Sequence, residues 1–424
     1  MNKQFRELSV IIPASNQSEN LDAFLSQVHS TLIDLSISFE IIIVGRQIRE
    51  STRKSIRENI CIFVESPTAE YGDATLSGIR QSIGKFIIII EPGLAHPKTF
   101  LQELWVNREA ADVVIGSRYI SGGEARMPFI RKVLSKILNL LFSRGLDLDV
   151  RDMSSGFRLY KSHVVKNLTT NNKGFDVLQE ILVMLLLEGH SINEIPINYQ
   201  STDNAYGRMS QFGLAYLRTF SRLWKLRNSI ASADYDARAY NAMMPPQRYW
   251  QRKRYKHITA MLKNKGKCLD VGCGSSRIIG ALPKGSIALD ILIRKLRYAR
   301  RFGHPTVQGS IFDLPIPNES FPCVLCSQVI EHVPRANVLD ELDRVLQPGG
   351  FLILGTPDYA KWQWNVIEWL YKLLLPQAYA DEHITHYTNQ ELHTELVMKR
   401  GYKLEVTRYI LQGELILGLR KPSG

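Results

Sequence analysis

A short apolar run that ends in glycines is the first feature of this chain that could do chemistry. The run KCLDV occupies residues 267–271, and Gly272 and Gly274 follow it directly. Glycine permits a tight backbone and the close approach of a ligand, and free N–H groups at the start of a following helix offer polar contacts. An ordinary strand-to-helix turn contains the same glycines. The turn alone is therefore a weak indication of a ligand site.

A carboxylate follows this turn at a distance that suits a nucleoside ligand. Asp290 ends a second apolar run, residues 287–289. An acid placed about 20 residues after such a turn can accept hydrogen bonds from both hydroxyls of a ribose. We therefore expect Asp290 to bind a sugar rather than to be a surface charge.

Three histidines could supply acid–base chemistry near the same ligand. His332 follows a third apolar run, residues 321–327, and His383 and His386 lie in a segment that we expect to form a lid. An imidazole can take the proton of a reacting hydroxyl. A structural, helix-capping role for His332 stays equally open. His383 and His386 could instead bind a metal ion, although the sequence specifies no third ligand.

The elements that must position these residues alternate between strand-like and helical patterns. In the first half, β-rich runs at 8–12, 40–44, 61–65, 85–91 and 112–117 are separated by amphipathic stretches such as 21–33 and 74–83. The pattern restarts with runs at 267–271, 286–290, 323–327 and 350–355. This alternation predicts an α/β protein with two doubly wound, Rossmann-like domains.

Length and composition set the domain organisation. A chain of 424 residues is too long for one core, and 45% hydrophobic with 22% charged residues is ordinary for globular protein. The dense polar stretch before the glycine turn is the expected boundary. We place an N-terminal domain at 1–228, a linker at 229–254 and a C-terminal domain at 255–424.

Charge, cysteine content and hydropathy bound the partners and the compartment. The net charge of +12 favours an acidic partner, such as a phosphorylated substrate or an anionic membrane. The sequence contains no nucleic-acid recognition motif, so nucleic acid is the disfavoured partner. Five cysteines without paired spacing indicate reduced thiols. With no signal peptide and no run long enough to span a membrane, we expect a cytoplasmic protein, peripheral on the cytoplasmic face of the membrane at most.

Five motifs occur in a fixed order in the second half of the chain. They are the glycine turn at 267–276, the run ending in Asp290, and the segments 308–315, 321–333 and 346–352. Together they resemble the class I S-adenosylmethionine-dependent methyltransferases over roughly residues 250–420. The resemblance departs from the family at Ser276, which replaces a third glycine, and at Ser310, which replaces an acid that often contacts the adenine.

The resemblance implies a set of site residues in this domain. Catalytic roles are implied for His332 and His386. The residues implied to bind S-adenosylmethionine are Asp270, Gly272 and Gly274 at the methionine end, Asp290 at the ribose, Ser310 and Ile311 at the adenine, and Gln328.

The first half resembles another transferase family. The matching pieces are the motifs at 10–16, 40–44, 71–74, 116–119, 152–158 and 193–197. Over residues 8–227 they are similar to family 2 glycosyltransferases, most of all to the dolichyl-phosphate mannose synthase and polyprenyl-phosphate sugar transferase branch. This implies a glycosyltransferase-A-like domain that binds a nucleotide sugar and an acceptor through the residues Pro13, Ala14, Gly72, Glu91, Arg118, Arg131 and Arg158, with Asp152 in catalysis.

The donor-site motifs of this first domain depart from the family pattern. Gln17 stands where the family has Glu, and the second strand ends in Gly45 and Arg46 instead of two aspartates. The metal-binding Asp-x-Asp is reduced to Glu91. One carboxylate plus substrate phosphates can still hold Mg²⁺ or Mn²⁺, so Glu91 stays the predicted metal ligand.

The later motifs of the first domain match the family pattern, and their residues could have a functional or a structural role. Arg118, Arg131, Asp152, Arg158 and Glu180 stand where the family has residues that serve the phosphate acceptor and the catalytic pocket. A structural ion-pair network of Asp152, Arg158 and Glu180, which would persist in an inactive domain, stays equally open.

A basic amphipathic helix is expected at 213–225, next to these motifs. Its Trp and cationic face suit a membrane interface that holds a lipid phosphate. Packing between the two domains is the alternative.

The sequence predicts a protein of glycan biosynthesis. We expect the C-terminal domain to methylate a hydroxyl of a sugar or a lipid-linked glycan. The N-terminal domain would bind a polyprenyl phosphate carrier. Two alternatives stay open: a bifunctional enzyme that also transfers a sugar to polyprenyl phosphate, and a first domain that is a non-catalytic binding module.

Overall fold

The structure of the protein is a computed structural model that describes residues 6–14, 21–47, 53, 56, 58, 60–91, 97–200, 213–241, 245–374 and 383–423. The chain forms two compact units. Unit 1 comprises residues 1–186 and 190–227, and unit 2 comprises residues 187–189 and 228–424. Gln17, Pro92 and Gly93, which figure in the donor-site argument, lie outside the described residues.

Within the described residues, unit 1 contains a seven-stranded sheet in the order β3-β2-β1-β4-β7-β5-β8 and a small sheet of β6 and β9. The strands are β1 (Arg6–Pro13), β2 (Phe39–Gly45), β3 (Ile62–Glu65), β4 (Gly84–Ile89), β5 (Val113–Ser117), β6 (Glu124–Arg126), β7 (Arg158–Lys161), β8 (Ile192–Pro196) and β9 (Asn198–Gln200). The helices are α1 (Leu21–Asp34), α2 (Tyr71–Gln81), α3 (Pro97–Val106), α4 (Phe129–Gly145), α5 (Ser162–Val165), α6 (Val177–Leu187) and α7 (Gly213–Arg227).

The central strands of unit 1 are apolar throughout because helices cover both faces of the sheet. Val10 and Ile12 of β1 belong to the core that α1 and α3 cover. Ile11, also fully buried, faces Gly78 of α2. The predicted parallel, doubly wound arrangement is confirmed for β1 with β2 and β4, whereas β7 runs antiparallel between β4 and β5.

Unit 2 contains a second seven-stranded sheet among its described residues, in the order β12-β11-β10-β13-β14-β16-β15. The strands are β10 (Cys268–Val271), β11 (Ile287–Asp290), β12 (Thr306–Gln308), β13 (Phe321–Ser327), β14 (Leu346–Pro357), β15 (Lys403–Ile410) and β16 (Glu414–Arg420). The helices are α8 (Tyr235–Ala239), α9 (Pro245–Leu262), α10 (Ile293–Ala299), α11 (Val338–Val345), α12 (Trp362–Leu374) and α13 (Asn389–Leu392). Strands β10 to β14 are parallel, and β16 is antiparallel to both β14 and β15.

The strand order of unit 2 fixes where a ligand can bind. The chain leaves β10 on one side to form β11 and β12 and then returns to its other side as β13. Crevices at such a switch point, beyond the carboxyl ends of the strands, are the usual ligand sites of open α/β sheets. The predicted glycine turn, Asp290 and His332 all follow strands at this edge.

The described residues of 229–254, the stretch expected to be a linker, include two helices. Helix α8 and the first half of α9 occupy it, and both are part of unit 2. Trp250 and Ile258 of α9 are buried in the core beside β10. Periodicity did not reveal these helices, because α9 carries many basic residues and buries few positions along its length.

Candidate functional site

A cavity of about 670 Å³ opens at the carboxyl ends of β10, β11 and β13 in unit 2. The residues that the resemblance assigned to the cofactor all line it: Asp270, Gly272, Gly274, Asp290, Ser310, Ile311 and Gln328. His332 lines it as well. The structure thus brings these predicted residues together around one space.

The two glycines of the turn adopt backbone conformations that other residues rarely take. Gly272 has φ 69° and Gly274 has φ 54°. A Cβ on Gly272 would overlap Cγ2 of Val329, and one on Gly274 would lie 2.6 Å from Oδ2 of Asp236. Both positions therefore require glycine for geometry and for space.

Asp290 is held rigidly at the end of β11. Its Oδ2 accepts a hydrogen bond of 2.8 Å from the Gly274 N–H, and its Oδ1 accepts one of 2.8 Å from the Leu292 N–H. Each carboxylate oxygen has a second lone pair that can accept another hydrogen bond. The carboxylate is thus preorganised to bind a pair of neighbouring hydroxyls.

Two buried acids that line the cavity, Asp270 and Asp290, have raised pKa values. Burial, and then the nearby charge of Asp290, raise the pKa of Asp270 to about 8. Burial also raises the pKa of Asp290 itself. A cation bound here would favour the ionised carboxylates, so the site suits a positively charged ligand.

Gln328 presents a buried donor to the cavity. The residue has φ 60°, a left-handed backbone conformation, and its N–H donates to the Gly355 carbonyl. Its side-chain Nε2 is buried with no hydrogen-bond partner among the described residues. Strained backbone and unsatisfied buried donors concentrate at ligand sites.

Asp236 of α8 supports the glycine turn and was missed from the sequence. Its Oδ2 accepts hydrogen bonds from N and Oγ of Ser275 and from Nζ of Lys295, the last at 2.7 Å. Burial alone would raise the pKa of Asp236, but the ammonium of Lys295 lowers it to about 2. No motif marks this aspartate, because its partners lie far along the chain.

Polar side chains gather around His332, which lines the cavity. Ligand atoms of Glu331, His332 and His383 lie within 4.8 Å of one another. The Tyr359 hydroxyl is 2.6 Å from Nδ1 of His383. Burial raises the pKa of Glu331 to about 8. His386 does not line the cavity: it is exposed, and its ring stacks on Tyr359 at 4.1 Å.

In unit 1, Asp152 forms a buried ion pair with Arg118. Nε and Nη2 of Arg118 bind the two oxygens of Asp152 at 2.8 and 2.7 Å, and the Arg118 N–H also donates to Oδ2. Burial opposes ionisation, but the guanidinium holds the pKa of Asp152 below its usual value. Arg118 is thus paired with Asp152 in this structure.

Arg158 and Glu180 form their hydrogen bonds with partners other than Asp152, although the charge of Arg158 also helps to lower the pKa of Asp152. The fully buried Arg158 donates to the backbone carbonyls of Met153, Ser155 and Leu178. Its guanidinium therefore fixes the loop at 152–156 and joins it to α6 through Leu178. Glu180 accepts from Arg222 at 2.6 Å and from the N–H groups of Asn171 and Asn172.

The predicted donor-site residues Pro13 and Glu91 of unit 1 lie at or just beyond the ends of two neighbouring parallel strands, β1 and β4. Pro13 ends β1, and the Ala14 N–H donates to the Val44 carbonyl. Glu91 follows β4 and lies against the 152–158 motif, because a Cβ on Gly156 would overlap its Oε1.

The described Gly72 packs on protein rather than on open space. Its N–H donates to the Lys173 carbonyl at 2.6 Å, and an added Cβ would lie as close to the same oxygen. Its neighbour Tyr71 has a buried hydroxyl whose pKa is raised by burial and by the charge of Glu91.

A second cavity, of about 630 Å³, lies in unit 1 and is mainly basic. Its charged lining residues are Arg118, Lys132, Lys136, Arg144 and Arg151, against Glu124 and Asp149. Arg131, predicted to serve the acceptor, lies on α4 but does not line the cavity.

Comparisons with known proteins identify both units. Residues 9–169 match the family model for glycosyl transferase family 2, and residues 269–354 match the model for a methyltransferase domain. The chain therefore contains a family 2 glycosyltransferase domain and a methyltransferase domain, as the sequence motifs indicated.

Two curated relatives are similar to about half of the chain. A dolichol-phosphate mannosyltransferase from Pyrococcus furiosus is 29% identical over 53% of this chain, and the match spans 65% of that relative. A polyprenol monophosphomannose synthase from Mycolicibacterium smegmatis is 26% identical over 53% of this chain and 89% of its own length.

Two solved structures are similar to parts of the chain. An S-adenosylmethionine-dependent methyltransferase from Mesorhizobium loti is 19% identical with a TM-score of 0.31, covering 39% of this chain and 96% of its own. Glucosyl-3-phosphoglycerate synthase from Mycobacterium tuberculosis is 19% identical with a TM-score of 0.39, covering 51% and 80%.

Proposed function

We propose that unit 2 binds S-adenosylmethionine and methylates a hydroxyl of a sugar or a lipid-linked glycan. The observation that carries the proposal is the shared cavity: the residues assigned to the cofactor line one space, with Asp290 fixed by two backbone N–H groups. A volume of about 670 Å³ suits a nucleoside-sized ligand, since ligand pockets commonly span about 300–1,000 Å³.

The chemistry of the donor set fits this cofactor. The positive-φ glycines leave room beside the turn, Asp290 can accept ribose hydroxyls, and the unsatisfied Gln328 Nε2 can donate to the ligand. Asp270, whose pKa is raised when the site holds no cation, would ionise opposite a positive charge. Bound S-adenosylmethionine supplies an electrophilic methyl group on a sulfonium.

His332 is the residue proposed to act on the acceptor. Methyl transfer requires an in-line approach of the hydroxyl oxygen and the loss of its proton. His332 lines the cavity on the side where Glu331 and His383 also lie. His386 was also predicted to be catalytic, but its ring packs on Tyr359 and does not line the cavity, so we do not assign it contact with the acceptor.

Calorimetry of the full chain with S-adenosylmethionine tests the proposal. Replacing Asp290 by Asn removes a charged acceptor, and hydrogen bonds to charged groups contribute about 1.5–3 kcal/mol each, so affinity should fall by at least about tenfold. Glu319→Gln, a change at an exposed acid of the same unit, is the matched control and should change affinity less than about twofold. A folded protein that releases or absorbs no heat with the cofactor would refute the proposal.

We further propose that unit 1 binds a polyprenyl-phosphate-linked intermediate. Its basic cavity offers an anion site, and its relatives' names concern dolichol and polyprenol phosphates. Joining both units in one chain would raise the effective concentration of a shared intermediate.

Sugar transfer by unit 1 is the second candidate function, favoured by the position of Glu91. Its carboxylate lies beside the 152–158 motif, where it could hold Mg²⁺ or Mn²⁺ together with substrate phosphates. Incubation of the full chain with sugar nucleotides, Mn²⁺ and polyprenyl phosphate tests it. Turnover that is lost in Glu91→Gln supports transfer, whereas no turnover with any donor favours a non-catalytic binding module.

Peripheral membrane binding through α4 is proposed from its exposed apolar face. Phe129 is 79% exposed, Ile130 62% and Ile137 57%. Lys132 and Lys136 on the same helix complement anionic headgroups. No helix among the described residues is long and apolar enough to cross a membrane.

Flotation with phosphatidylglycerol vesicles tests membrane binding. The double variant Phe129→Glu with Ile137→Glu should lose most of the vesicle-bound fraction. Val106→Glu, a change at another exposed apolar residue of unit 1, is the control and should float like the wild type. Equal flotation of all three proteins would refute a membrane role for α4.

A further inference from the structure

Glu331, His332 and His383 form a compact group beside the unit 2 cavity, which His332 lines. One ligand atom from each lies within 4.8 Å of the other two. Ligand atoms about 2.0–2.2 Å from a shared metal ion lie about 3.0–3.5 Å apart when adjacent. Small side-chain rotations would therefore bring all three onto one ion.

The backbone holds the group together although its members come from two distant segments. The Glu331 carbonyl accepts hydrogen bonds from the N–H groups of Ile384, at 2.8 Å, and Thr385, at 3.0 Å. The rings of His332 and His383 are in edge contact, with centroids 4.7 Å apart. The position of His383 beside Glu331 is thus built into the fold.

Glu331 has the unmet bonding capacity of a ligand. The residue is fully buried, and its Oε2 accepts from the Thr356 hydroxyl at 3.2 Å. Its Oε1 is buried with no hydrogen-bond partner among the described residues. Leaving such an oxygen unsatisfied costs free energy that a bound cation would offset.

His383 is oriented as metal-binding histidines usually are. Tyr359 Oη lies 2.6 Å from its Nδ1. A hydrogen bond at one ring nitrogen, which sets the tautomer and the ring orientation, accompanies most metal-binding histidines. The sequence suggested His386 as its companion, but the structure supplies His332 and Glu331 instead.

We propose that Glu331, His332 and His383 bind a divalent transition-metal ion. Two imidazoles and one carboxylate suit Zn²⁺, Fe²⁺, Co²⁺ or Ni²⁺ better than Mg²⁺ or Ca²⁺, which prefer oxygen ligands. Three protein ligands leave coordination positions open, and His332 lines the cavity.

The inference rests on the proposed methylation and refines how the acceptor is activated. The ion would withdraw electron density from the acceptor hydroxyl, whose proton would pass to solvent water. The oxygen then bonds to the methyl carbon as the carbon–sulfur bond breaks, and that electron pair stays on sulfur. His332 would act as a ligand rather than accept the proton itself.

Cobalt titration of the chelator-treated full chain tests the site, because Co²⁺ reports its ligands by visible absorption. We expect one tight equivalent with absorption typical of mixed nitrogen and oxygen ligation. His383→Ala and Glu331→Gln should weaken binding at least about 100-fold, and Tyr359→Phe about 10- to 100-fold. His393→Ala, a change at an exposed histidine of the same unit, is the matched control and should bind like the wild type.

The outcomes separate this inference from the proposed function. Equal, weak cobalt binding by the wild type and His383→Ala would overturn the metal site and mark the group as a hydrogen-bonded structural cluster. If circular dichroism shows that Glu331→Gln does not fold, the comparison of the wild type with His383→Ala still tests the metal site. Calorimetry of the same variants with S-adenosylhomocysteine, a close analogue of S-adenosylmethionine, reports cofactor binding separately. Cobalt binding by a protein that does not bind S-adenosylhomocysteine would refute only the proposed function.

Discussion

The raised pKa of Asp270 makes the stability of unit 2 depend on pH in a defined direction. Burial and the charge of Asp290 raise the pKa of its carboxyl from 3.8 to about 8 in the folded protein. Between these two values the folded state holds a proton that the unfolded state has released. Stability therefore falls as pH rises through this window and levels off above the folded pKa.

Replacing Asp270 by Asn removes this dependence. Asparagine has nearly the shape of the protonated acid and does not titrate. From pH 6 to pH 8 the wild type should lose about 2 kcal/mol of unfolding free energy relative to the variant, from linkage with a folded pKa near 8. Bound S-adenosylmethionine should reduce the loss, because its positive charge favours the ionised form.

Urea denaturation at pH 6, 7 and 8, followed by circular dichroism, measures the difference. The transition of unit 1 is common to both proteins, so it cancels in the comparison. Asp313→Asn, which changes an exposed acid, should keep the slope of the wild type. Parallel pH dependence of wild type and Asp270→Asn, within about 0.5 kcal/mol, would refute the reasoning.

Three other outcomes follow from the contacts in the two units. Asp152→Asn leaves the buried Arg118 without its charged partner, so urea denaturation should show unit 1 destabilised by about 3–5 kcal/mol; a loss below about 1 kcal/mol would contradict a buried pair. Gly272→Ala forces a Cβ into Val329 at positive φ, and calorimetry should detect no S-adenosylmethionine binding, whereas unchanged affinity would show that the turn can relax. Asp236→Asn weakens the support of the glycine turn, and cofactor affinity should fall about tenfold, since a hydrogen bond to a charged group contributes about 1.5–3 kcal/mol; wild-type affinity would show that Lys295 and Ser275 suffice.

Much of the fold was predictable because its signals are local. Apolar runs and turns located β1, β2, β4, β10, β11 and β13, and the order of the motifs gave both families. The glycine turn and Asp290 were found because their spacing follows from one strand–turn–helix unit. The antiparallel strand β7 was not foreseen, since pairing direction depends on how the chain returns to the sheet.

The contacts that complete the site were harder to predict from the sequence. Asp236 reaches Ser275 and Lys295 from a stretch that carries no periodic apolar pattern. The grouping of His383 with Glu331 depends on hydrogen bonds between distant segments, which no spacing rule reports. The partners of Arg158 are backbone carbonyls, and these leave no trace in residue type.

The contact between α8 and the glycine turn sets where this protein can be cut. A fragment that begins at residue 255, the boundary expected from the sequence, would keep every methyltransferase motif and still lack Asp236, the acid that holds Ser275 and Lys295 in place. A fragment meant to keep the methyltransferase site intact should therefore include all residues from Asn228 onward, the main segment of the second unit. The same boundary applies to any gene fusion that transfers this domain to another protein. A fusion point after α8 would transfer the methyltransferase motifs without Asp236, which holds the glycine turn in place.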